Sequence, residues 1–297
     1  MSREQGSALG GILWMVTATV FFGLTNVASK LLGQDVSLVQ IVWGRYFFHF
    51  LILALLLRGR LPGVLQTHHL GLQLGRSLML LAASCLYFGG FILMPLADAA
   101  ALLNISPVLV TLLAVPFLGE KVGIRRILGV AAGLTGALII IRPGAGVFGA
   151  VGLLPVGAAV VYSFYQIATR KVSGDDSPTT SITYTALAGT VLASLAVPFF
   201  WVDLAPLHWV LLVSMGATGA TGHYAMIRAY AGTEASIVAP FNYAVLIWMA
   251  TGGYLLFGDV PDLWTWIGSA IIVVSGIYIG HREAKQRRAT PTRPGPA

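Results

Sequence analysis

The groups in this chain that could do chemistry are polar and charged side chains set inside long apolar runs. Asn26 and Lys30 stand four residues apart in FFGLTNVASK and share one helix face. Arg45 interrupts IVWGRYFFHF, with His49 one turn deeper. Tyr87, Asn104, Tyr162, Gln166, His223, Tyr224 and Asn242 are polar groups in similar settings, and Arg228 follows Tyr224 by one turn. Amides orient the polar atoms of a solute and rings stack on it. Cations such as Lys30, Arg45 and Arg228, once desolvated, attract carboxylates. This is the chemistry of recognition. Each group also has a purely structural use: Arg45 can snorkel outward or bind helix-end carbonyls, His49 can pack as a neutral ring, a membrane tyrosine can bond between helices, and Asn104 can satisfy a kink at Pro107.

Bond-making chemistry finds no constellation. There is no Gly-rich Lys-Ser/Thr loop and no soluble segment large enough to hold ATP, the histidines and the single Cys85 show no metal spacing, and nothing resembles a nucleophile elbow. No enzyme, no cofactor and no metal site are expected.

The elements that position these groups follow from hydropathy. Of 297 residues, 57% are hydrophobic and 10% charged, with a mean hydropathy of +0.82, so the chain must be solvated by lipid. The apolar runs are about twenty residues long, which matches a hydrocarbon core of about 30 Å. The sequence predicts an all-α integral membrane protein with ten transmembrane helices, over roughly 10–31, 37–57, 73–94, 99–118, 124–141, 149–169, 180–201, 207–230, 235–257 and 264–281. With the N-terminus inside, 15 of the 18 Lys and Arg fall on the inner side, Arg76 among them. The net charge of +7 is thereby explained without nucleic acid, and both termini are expected in the cytoplasm.

The chain is also duplicated. A shift of 139 lays Gly119 on Gly258, Glu120 on Asp259 and Gly129 on Gly268. A shift of 141 lays Lys30 on Lys171 and Phe21 on Tyr162, and one of 136 lays Tyr87 on His223 and Phe88 on Tyr224. Five spans per half is an odd number, so the halves enter the membrane from opposite sides as inverted-topology repeats, a construction used by many secondary transporters. The predicted organisation is a cytoplasmic N-terminus over 1–9, a first repeat over 10–142, a second over 149–281, and a basic cytoplasmic tail over 282–297, disordered against lipid. Asp98 and Glu234 stand where helix caps belong, and no carboxylate falls near the middle of any span.

Phe22-Gly23 with Asn26 and Lys30, Arg45, LADAAALL followed by Pro107, and Gly119-Glu120 resemble the first EamA unit of the drug/metabolite transporter superfamily. The stretch APFNYAVLIWMATGGYLLFGDVPD resembles the second. The likeness covers nearly the whole chain and departs at Asp259, where Glu is usual, and at Leu246, opposite Pro107. It implies that helices 1, 3, 4, 6, 8 and 9 surround a central cavity, with helices 5 and 10 peripheral. The expected function is secondary transport of a small polar organic metabolite, such as an amino acid, across the inner membrane by alternating access. A receptor or scaffold that binds a metabolite without moving it is the alternative. The expected partners are a small-molecule substrate and the lipid bilayer, with neither ATP nor nucleic acid. The sequence leaves the oligomeric state open, a monomer being compatible with it.

Overall fold

The computed structural model describes residues 8–118, 124–142, 149–172, 175–232 and 239–289. The turn Gly119-Glu120-Lys121, Glu234 and the tail beyond 289 lie outside the described residues. Within them there are helices and turns and no strand. In chain order the helices are α1 (Ala8–Leu32), α2 (Leu38–Leu57), the short α3 (Leu61–Val64), α4 (Leu70–Leu93), α5 (Leu96–Leu103), α6 (Ser106–Leu118), α7 (Ile124–Ile141), α8 (Leu153–Val172), α9 (Pro178–Ala196), α10 (Pro206–Gly232), α11 (Val245–Phe257) and α12 (Leu263–Ala289). Among the described residues, five apolar stretches are long enough by length and composition to cross a bilayer: Leu9–Leu32, Leu38–Val64, Leu70–Leu93, Ala150–Thr169 and Pro178–Phe200. Shorter apolar helices cover Leu96–Val110, Ile127–Ile141, Phe241–Phe257 and Leu263–Tyr278.

Three local features differ from the sequence expectation. The fourth predicted span is broken at Asn104-Ile105 into α5 and α6. Pro107 has no N–H to give the carbonyl four residues back, so the helix stops and restarts with proline in its first turn. Asp98 is not a cap: Pro95 holds that position, and Asp98 is buried in the first turn of α5. Finally, α12 runs past 281 to Ala289, because HREAKQRRA is built from good helix formers.

Packing joins the two halves of the sequence rather than setting them side by side. The main pairs are α1 with α10, α7 with α12, α4 with α8, and α2 with α9 and α10. Glycines allow the closest of these approaches. A methyl on Gly136 would lie 2.8 Å from the carbonyl oxygen of Gly268, and one on Gly268 would lie 2.6 Å from that of Gly136. Ser275 Oγ donates across the same α7–α12 seam to the carbonyl of Gly129. Without a hydrophobic drive between helices in lipid, such small-residue contacts supply the attraction.

The outside is apolar, with Leu128, Leu138, Leu255, Leu263 and Trp266 all exposed. Near the start of α2, Trp43 stacks on Phe47 at 4.9 Å and meets Trp201 and Trp209 edge-on at 6.0 and 6.4 Å.

Candidate functional site

Two pairs of residues, each one helical turn apart, form the spine of a polar cluster. Phe22 and Asn26 lie on α1, Arg45 and His49 on α2. Each pair reaches in two directions. Asn26 Nδ2 donates to Tyr87 OH on α4 at 2.8 Å, while Phe22 packs edge-on against His223 on α10 at 5.1 Å. Arg45 Nη1 donates to Ser84 Oγ on α4 at 2.9 Å, while the His49 ring lies 5.8 Å from that of His223. Helix α4 of the first half and α10 of the second are thus bridged through α1 and α2.

Bonding within the cluster fixes which atoms remain free to act. Ser84 Oγ gives its only proton to the carbonyl of Leu80, so toward Arg45 and Tyr46 OH it accepts. Tyr87 OH accepts from Asn26 and keeps its own proton to donate. His223 Nδ1 lies 2.9 Å from the carbonyl of Gly219, which can only accept, so Nδ1 carries a proton and Nε2 of the neutral ring is an acceptor. The Arg45 guanidinium rests near the rings of Tyr46 and Phe88, 5.3 Å from each, and its buried Nε has no hydrogen-bond partner. Its field reaches Tyr87, His49 and His223, and Tyr162 lies close enough to act on Tyr87.

Toward the end of the bundle that holds Asp259, the halves are tied by ion pairs. Lys30 Nζ meets Asp259 Oδ2 at 2.5 Å, donates to the carbonyl of Met94 at 3.2 Å and sits over the Phe257 ring. Arg142 pairs with Asp262 at 2.5 Å. Burial alone would raise the Asp262 carboxyl, but the Thr265 N–H and the Arg142 cation hold it below the usual carboxylate range. Buried Gln40 exchanges two hydrogen bonds with the backbone of Val202. Asp98 Oδ1 is buried here without a hydrogen-bond partner.

The opposite end, roughly 27 Å away along α4 by helical rise, is tied by a second network that the sequence reading missed. Arg76 is 1% exposed. Its Nε donates to Thr169 Oγ1, its Nη1 to Gln73 Oε1 and the Ser181 carbonyl, and its Nη2 to Tyr165 OH, all within 2.8–3.0 Å. Gln73 Nε2 and Thr67 Oγ1 both donate to Asp176. The Thr67 bond, followed by that from Gln73 and the nearby histidines, holds the Asp176 carboxyl below its ordinary range against the opposing effect of burial. Counted in the sequence as an inner-face charge, Arg76 is an interior strut. The signal was present in two pairs, Gln73/Arg76 and Tyr165/Thr169, each about one turn apart.

The sequence-derived candidates therefore separate. Asn26, Arg45, Tyr87 and His223 come together, with Tyr162 beside them and stacked on Tyr165. Lys30 is paired at the Asp259 end. Asn104 turns its amide back onto the carbonyl of Ala100 at 2.7 Å. Tyr224 is 53% exposed and, with Arg228, packs around Trp14 on the outside of the bundle. Gln166 and Asn242 are half-buried on α8 and in the turn Ala239–Ala244. A groove of about 510 Å³ between α7 and α12, lined by Leu128, Ala132, Ile271 and Val274, is almost wholly apolar and includes none of these residues.

Comparison with known proteins agrees with this architecture. The chain is 33% identical to a riboflavin transporter of Vibrio cholerae over 94% of its own length and 96% of that protein. It is 30% identical to a pseudopaline exporter of Pseudomonas aeruginosa, covering 91% and 95%. A solved crystal structure, 20% identical, shares the fold with a TM-score of 0.65 over 93% of this chain and 98% of that one. The model of the EamA-like transporter family matches twice, over residues 9–142 and 149–280, one match for each half whose helices interlock here. This multi-pass membrane protein belongs to the EamA-like transporter family.

Proposed function

We propose that the protein is a secondary, not ATP-driven, transporter that carries a small polar organic metabolite by alternating access. In this reading ten spans form two inverted five-helix repeats in the inner membrane, with both termini cytoplasmic. The Asp259 end then faces outward and the Asp176 end inward. One observation carries the reading: the cluster of Asn26, Arg45, Tyr87 and His223 lies where helices of both halves meet, with separate bonds between the halves at each end of the bundle. A rocking protein needs this arrangement, since the site must stay put while one set of ties breaks and the other forms.

The relatives named above as a riboflavin transporter and a pseudopaline exporter support a polar organic solute. The rings of Phe22, Tyr87, Tyr162 and His223 suit a solute with a flat face, so riboflavin belongs first in the panel, with amino acids after it. The test is counterflow in vesicles reconstituted with the purified protein, without ATP. Saturable exchange of at least one solute, lost in Asn26→Ala and His223→Ala, is the expected result. Binding of a solute with no exchange across the panel would show a receptor instead.

A further inference from the structure

Charge balance inside the bundle names the chemical class of the solute more closely; this step rests on the transport reading. Of Lys30, Arg45, Arg76 and Arg228, three are accounted for. Lys30 is neutralised by Asp259. Arg76 has every guanidinium nitrogen bonded. Arg228 is exposed on the outer surface, over Trp14 and Tyr224. Arg45 differs from all three. It lies seven residues into α2, about 10 Å below the helix end by rise, and no carboxylate pairs with it among the described residues. Its one hydrogen bond goes to a neutral hydroxyl that two other bonds already engage.

A cation at such depth costs about 2.5–3.5 kcal/mol on insertion scales, and helix ends or a paired acid usually offset that cost. Here neither does, and the buried Nε stays without an acceptor. On α4, the helix that carries Ser84, the Tyr87 hydroxyl accepts from Asn26 and so still has its own proton to donate, and no acceptor takes that proton among the described residues. Ser84, Tyr87 and Phe88 share one face of α4, and the guanidinium lies against that face, bonded to Ser84 and beside the Phe88 ring, so its remaining N–H groups and the Tyr87 O–H are donors on the same side of the helix. No carboxylate among the described residues matches these donors, and an anionic oxygen pair on a solute supplies the match: bidentate geometry for the guanidinium and a third bond from the phenol.

We infer that Arg45, with Tyr87, is the anchor for an anionic group, a carboxylate or a phosphate, on the transported solute. The aromatic side of the cluster, Phe22 and His223, then takes the remainder of the molecule, with His223 Nε2 accepting from it.

Matched probes test this. Equilibrium binding to the full chain in lipid nanodiscs is measured for indole-3-acetate against indole-3-acetamide and for riboflavin 5′-phosphate against riboflavin, with vesicle counterflow of the same four compounds. The expected result is that the anion of at least one pair binds tenfold or more tightly than its neutral partner. Which pair shows the preference separates carboxylate from phosphate. Arg45→Gln removes the preference, Arg45→Lys keeps part of it, and Tyr87→Phe weakens the anion more than the neutral compound. Arg45→Lys keeps the test open should Arg45→Gln fold poorly. Equal binding within both pairs, a preference that survives Arg45→Gln, or no binding of any probe overturns the anchor. Counterflow without preference overturns the anchor and leaves transport standing; preference in binding without counterflow of any compound overturns transport and leaves the anchor.

Discussion

Asn26 and Tyr87 set a clear expectation for a single buried bond. Removing the phenol oxygen with Tyr87→Phe leaves an amide donor without a partner and costs about 1–3 kcal/mol. Replacing both, as Asn26→Leu with Tyr87→Phe, recovers most of that stability. Thermal unfolding of purified protein reads the first effect, and counterflow remains impaired in both variants. Arg76 behaves differently because its partners are neutral. Arg76→Lys keeps the charge but loses the planar fork, and with bonds from a charged donor worth about 1.5–3 kcal/mol each the melting temperature falls measurably even though the net charge is unchanged. Sequence made Arg45 and Asn26 legible, since a polar group alone in an apolar run is conspicuous. Arg76 was hidden because its partners Tyr165, Thr169 and Ser181 are 89 to 105 residues away. Locally, only the spacing from Gln73 sets it apart from a loop charge at the start of a helix.

Among the elements, the α7–α12 seam is the most demanding of small residues. Gly136→Leu places a side chain where the backbone of Gly268 already stands, and overpacking of this kind typically costs about 1–3 kcal/mol. Lower thermal stability with solute affinity unchanged is the expected result, since the seam holds none of the cluster residues. Sequence showed these two helices as Gly-rich and alike but not as partners, and Pro107 pointed to a kink in the fourth span rather than to the full break between α5 and α6. The register of Asp98 was not legible. A residue near a helix start fits either the cap or the first turn by type, and only the backbone places Pro95 at the cap and buries the carboxyl.

For the molecule as a whole, the two ends should respond to different perturbations. The Asp176 carboxyl titrates below its unfolded value of about 3.9. Its contribution to stability is therefore full above that pH and is lost as pH falls through the lower folded value. Asp176→Asn is expected to lower stability at neutral pH and to flatten the acid limb of a melting-temperature profile between pH 7 and 3. At the other end, Lys30→Glu and Asp259→Lys should each impair exchange, and the double swap should recover it, because the pair acts through attraction and not through either residue alone. The interlocked pairing of halves, α1 with α10 and α4 with α8, could not be read from the repeat, which fixes the likeness of the halves and not their contacts. The indole group near the start of α2 draws these motions to one optical handle. Trp43 belongs to the first half and Trp201 and Trp209 to the second, and together they make up three of the seven tryptophans. Any rocking that separates the halves at that end uncouples these rings. The protein thus carries its own chromophore for the cycle, and a near-ultraviolet circular dichroism band that weakens when solute is added, and persists in Trp43→Phe only at reduced strength, would time the motion without a label.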